Sequence, residues 1–175
     1  MEKQTITIKL KPWLQEYLRC KLKDPESASR KNIVGALLTP FLEYTPKDYV
    51  YHKKSGPEYM TFELPTLMGD KNTRSGNLYI SEDNMKNFER VLDMVFKDHF
   101  YSYVDDKIRY IETTSGKSGT IKTCIEQFCM DLNISYNHIN YEMLKKSYYR
   151  KRESEKKTNK HIIKLSLTCP LIFLL

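Results

Sequence analysis

Ile121, Ile125, Phe128 and Leu132 recur at spacings of four, three and four, which lines their side chains along one face of a helix. A face that apolar has to be covered, so this helix belongs to a packed body. Asn133-Ile134-Ser135 follows at once. Asparagine tolerates the left-handed backbone that ends helices, and Ser135 or Asn137 can accept from the free amides that open a second one. Ile139 and Met143, four apart, give that second helix, expected from about Tyr136, a buried stripe of its own. Two short helices joined by a tight turn of about three residues are the expected product.

Counted as a window of about twenty residues from Ile125 to Leu144, the segment has an apolar fourth place (Phe128), a small fifth (Cys129) and an apolar eighth (Leu132). A turn-former stands ninth (Asn133), and the tenth and fifteenth are apolar (Ile134, Ile139). In these places the chain resembles the helix-turn-helix DNA-binding proteins. It departs from them at Asn133, where glycine is usual, and at Glu142, where a branched apolar residue is usual. The resemblance covers about 30 residues and implies a second helix in the major groove with its first residues over the base edges. Facing away from the Ile139/Met143 stripe are Tyr136, Asn137, Asn140 and Tyr141. Asparagine can pair in bidentate fashion with adenine, so Asn137 and Asn140 are the candidates for reading sequence, with the two tyrosines reaching a phosphate or a thymine methyl.

Charge sharpens that expectation. Residues 1–115 hold 18 Lys or Arg against 17 Asp or Glu, whereas 116–175 hold 11 against 5. The excess begins where the helix-turn-helix window ends, in the run KKSYYRKR, and a basic stretch beside a groove-sized helix is the electrostatic footprint of polyanion binding. Lys145, Lys146, Arg150, Lys151 and Arg152, with Lys122 at the start of the first helix, are the expected phosphate contacts; they would position the protein without reading bases. The expected partner is double-stranded DNA, and neutralising about five phosphates implies a log-log salt slope near about −4.5. The plainer alternative is a helical hairpin whose lysines serve solubility.

The rest of the chain reads as an α+β scaffold. QTITIKL alternates as a half-buried strand, and Pro12 suits the first turn of a helix carrying Trp13, Leu14, Tyr17, Leu18 and Leu22. A second helix is expected over about 29–44, kinked or ended early by Pro40. EYMTFEL (58–64) and residues 77–80 read as strands of a small antiparallel ribbon, joined by a polar surface loop that contains Lys71 and Arg74. Ser81, Glu82 and Asp83 then open a long central helix, expected to Tyr103, with His99 on its stripe as a satisfied core or boundary histidine. Asp105 and Asp106 read as polarity on a solvated turn. The organisation expected is a scaffold over 1–115 with a candidate homodimer surface, a DNA-binding module over 116–157, and a tail over 158–175, frayed polar helix first and then a strand at Ile162–Leu167 before an apolar end.

Several function classes lose ground. Gly116-Lys117-Ser118 looks like the end of a phosphate-binding loop, but the required earlier glycine is Ile111. No nucleophile, base and orienting residue stand together, so an enzyme is not expected. Cys20, Cys124, Cys129 and Cys169 form no CxxC, and with His138 and His161 they match no familiar zinc spacing; no cofactor is expected. The apolar end is short and interrupted by Lys164 and Pro170, so no membrane partner is expected and a reducing cytoplasm is. Frequent Lys, Asn, Ile and Tyr suggest an AT-rich coding sequence, as in a phage or mobile element. The expected role is a transcriptional regulator or replication accessory; the alternatives are a structural or protein-interaction module and an RNA-binding protein that stacks unpaired bases on its tyrosines.

Overall fold

The computed structural model describes residues 5–21, 28, 32–45, 55–64, 78–115, 120–137 and 139–168, with the backbone alone at 115 and 159–168. Strand β1 (Thr5–Lys9) leads into helix α1 (Pro12–Lys21); helix α2 (Ile33–Leu38) passes into a 3-10 turn at Thr39–Phe41, then strand β2 (Glu43–Tyr44). Strands β3 (Tyr59–Glu63) and β4 (Leu78–Tyr79) precede the helices α3 (Glu82–Ser115), α4 (Ile121–Asp131) and α5 (Tyr141–Thr168). The class is α+β, as expected.

Pairing of the strands differs from the expected ribbon. β3 pairs antiparallel with β1, Ile8 opposite Met60 and Ile6 opposite Phe62, while β4 pairs with the short β2. The first pairing brings four large buried side chains into one face, and Thr7 meets Thr61 hydroxyl to hydroxyl at 3.2 Å. Register in a sheet follows the buried face, and that face joins strands about fifty positions apart. Lys71, Arg74 and the Gly116-Lys117-Ser118 segment lie outside the described residues. Pro40 sits in the 3-10 turn, so the second helix ends early and residues 43–44 become strand.

Glu43 then ties this region to α3. Its carboxylate accepts from the Ser81 hydroxyl (2.7 Å), the Tyr79 hydroxyl (3.1 Å) and the Asn84 amide (2.6 Å). The Ser81 side chain, expected as a helix cap, is therefore spent on Glu43.

α3 runs 34 residues, well past the expected Tyr103. Phe88, Leu92, Phe96, Phe100 and Val104 repeat every four positions along its buried side, and Phe96 and Phe100 meet Phe128 of α4 at ring distances of 5.8 and 5.1 Å. Asp105 and Asp106 are consequently helical, not on a turn. α5 likewise continues as helix through Thr168, across the expected boundary at 157 and through Ile162–Leu167, where a strand was expected. Among the described residues no helix is long and apolar enough to cross a membrane.

His99 lies where α1, α3 and α4 meet, between the rings of Tyr17 (5.8 Å) and Phe128 (5.5 Å). It is a boundary histidine but not a satisfied one, because its buried Nδ1 has no hydrogen-bond partner. Burial holds its pKa below the ordinary 6.5, helped by the Lys21 ammonium and opposed by Asp98. In the unfolded chain this imidazole takes up its proton first as pH falls, so acidification below about 6.5 favours unfolding, and stability is regained above it. Thermal midpoints measured between pH 5 and pH 8 should therefore rise more steeply for the native chain than for His99→Phe; equal slopes would remove His99 as the cause.

Candidate nucleic-acid interface

Thr120 caps α4 by accepting from the Thr123 amide (3.4 Å), and Cys124, Ile125, Phe128 and Cys129 fill the buried side of the helix. Asn133 ends it in the left-handed region, at φ 50°. Its amide donates to the Met130 carbonyl (3.0 Å) and the next amide, Ile134, to Cys129 (2.8 Å), the paired closure that a left-handed residue allows.

The second helix does not begin at Tyr136. Ser135 donates its amide to Glu16 of α1 (3.0 Å) and accepts on its hydroxyl from the Asn137 amide (3.3 Å). Asn140 accepts on its side-chain oxygen from the Glu142 amide (2.8 Å), so α5 starts at Tyr141. Ser and Asn side chains offer the backbone local partners that compete with helix formation, and here such residues hold an irregular bend. The two-helix arrangement remains, with a connection running from Leu132 to Asn140 in place of a three-residue turn.

Starting later rotates the buried stripe. Ile139, Leu144 and Tyr148 face inward, each almost fully buried, whereas Met143 is 45% exposed. The expected Ile139/Met143 stripe is thereby corrected: Leu144, one position on, has the inward place that Glu142 and Met143 could not fill. α3 fixes this orientation. The Asp105 carboxylate accepts from the Tyr148 hydroxyl (2.5 Å) and from the Lys151 ammonium (2.8 Å), and the Tyr101 and Ser147 hydroxyls meet at 2.6 Å. Burial raises the Asp105 pKa, but Lys151 and Tyr148 outweigh it and hold the carboxyl below its ordinary value. The Tyr148 hydroxyl is pushed up by burial and by that carboxylate.

Of the four candidate base-reading residues, Tyr136, Asn137 and Asn140 are exposed and Tyr141 is half-buried. Tyr136 is exposed at the bend, and burial pushes the nearby Cys129 thiol up to about 11. Asn137 is exposed on the same bend. Asn140 is exposed but its side-chain oxygen is used as a cap. Tyr141 is half-buried against the core, under the Lys145 ammonium at 5.5 Å. Alanine at Asn140 should accordingly cost about 1 kcal/mol of stability, the usual loss for a helix cap. Urea denaturation would read it. A changed base preference at unchanged stability would instead return Asn140 to a reading role.

The candidate phosphate contacts separate into tied and untied cations. Lys151 is held by Asp105 and by Glu155 (3.3 Å). Lys122 pairs with Glu126 (3.8 Å) and Lys145 with Glu142 (3.6 Å), both at the surface, where such pairs are weak. Arg152 lies over the Tyr148 ring at 5.8 Å. Lys146 and Arg150, four apart, are exposed and make no ion pair among the described residues. With Met143 and Tyr149, each 45% exposed, they occupy the side of α5 turned away from Leu144 and Tyr148. The sequence pattern places Met143 inward and gives Tyr149 no role; the spacing of four between Leu144 and Tyr148 is the signal that turns both outward. No family model matches the chain, and neither a curated protein nor a solved structure does.

Proposed function

We propose that the chain binds double-stranded DNA through the outward face of α5, with α4 and the bend bracing that helix against the scaffold. The observation that carries this reading is the pair Lys146 and Arg150, exposed one turn apart and without acidic partners among the described residues, between the exposed Met143 and Tyr149. Cations with this freedom can neutralise phosphates and release condensed counterions, and an outward helix face flanked by them has the width of the major groove. Asn140 takes no part in base reading, and Lys151 serves to hold α5 on α3. Lys122 stands on α4, off this helix, and on α5 Lys145, Lys146, Arg150 and Arg152 remain, so about four phosphates are neutralised and the salt slope falls to about −3.6.

A module of this size covers few base pairs, so specific recognition uses two copies on a two-fold site. The role is that of a regulator or replication accessory. Anisotropy titration of the full chain against a random duplex pool, with heparin as competitor and single-stranded RNA in parallel, tests the reading. Saturable duplex binding that survives heparin supports it. Preference for the RNA, or no binding to either, overturns it.

A further inference from the structure

We propose, resting on that DNA-binding reading, that Met143 is the residue that determines sequence preference, and that it does so by packing against the 5-methyl group of a thymine. The first turn of α5 offers few side chains for base contact. Asn140 is spent on the Glu142 amide, Tyr141 lies against the core, and the Glu142 carboxylate faces Lys145 at 3.6 Å. Met143 alone in that turn presents uncommitted apolar surface, 45% exposed. It stands three and seven positions before Lys146 and Arg150, and so shares their side of the helix. Phosphate contacts by those two cations would bring that side against the groove floor.

In the major groove the thymine methyl is the apolar group that distinguishes one pyrimidine from another. Methionine is unbranched and polarizable, and it adapts its rotamer to such a contact. Excluding water from one methyl contact is worth about fourfold in affinity. The ligand class is thus a duplex carrying thymine where the amino-terminal turn of α5 meets the groove.

The test takes the tightest duplex recovered from a random pool and replaces each thymine in turn by uracil, which removes only the methyl group. For the native chain one replacement should weaken binding about fourfold. Met143→Ala, at an exposed position and with an unchanged melting curve, should bind the thymine and uracil duplexes equally. If uracil is tolerated everywhere while Lys146→Ala/Arg150→Ala still weakens binding, Met143 does not read thymine although duplex binding stands. A thymine preference retained by Met143→Ala likewise assigns that preference to another residue, and failure of all duplex binding removes both proposals.

Discussion

Phe128→Ala should destabilise the chain by about 3–5 kcal/mol, the range for deleting a buried phenylalanine. The ring is fully buried and meets Phe96, His99, Phe100 and Tyr103 at centroid distances between 5.1 and 5.8 Å. All four of those rings belong to α3, and the space left cannot be filled by relaxing one neighbour. Domains of ordinary stability have only about 5–15 kcal/mol in total, so much of the folded population is at stake. The urea midpoint should fall sharply with little change in the slope of the transition. A loss below about 1 kcal/mol would mean that α4 is not packed as described.

Lys146→Ala/Arg150→Ala carries the second large effect, on binding and not on folding. Both side chains are exposed, and surface substitutions of this kind typically leave stability within about 0.5 kcal/mol. If the native chain neutralises about four phosphates, its affinity should fall by roughly 150-fold between about 50 and 200 mM salt. The double variant, left with about two, should lose only roughly 12-fold over that range. Weakening should be uniform across sequences, because these contacts position without reading. A variant whose salt slope matches that of the native chain would show that these cations stay clear of the backbone. Lys151→Ala is a useful contrast: its ammonium is committed to Asp105, so it should disturb the seating of α5 without removing a phosphate contact.

How much of the fold and of the interface is legible in the sequence depends on the range over which each feature is decided. The stripe of Ile125, Phe128 and Leu132 and the left-handed Asn133 are set within two helical turns, and local spacing identifies them. Pro40 and the alternation in β1 are readable for the same reason. Pairing of β1 with β3 is not, because Ile6 finds Phe62 across a long stretch of chain whose length no local pattern encodes. The start of α5 is hidden because Ser135, Asn137 and Asn140 are each plausible caps, and only tertiary contacts choose among them; the Glu16 bond to the Ser135 amide is one such contact. That choice moves the helix start from Tyr136 to Tyr141 and exchanges Met143 for Leu144 inside. Asp105 looks like solvated polarity for a similar reason. Its meaning depends on α5 passing beside it with Tyr148 and Lys151, which lie more than forty positions further along the chain.

The proposed interface is one side of one helix, and cross-linking addresses that side directly. A photoreactive residue introduced at Tyr149 should capture labelled duplex in high yield, while the same residue at Met94, exposed on α3, should capture none. Capture at Met94 but not at Tyr149, or at neither position while the duplex stays bound, would contradict the assignment of DNA binding to α5.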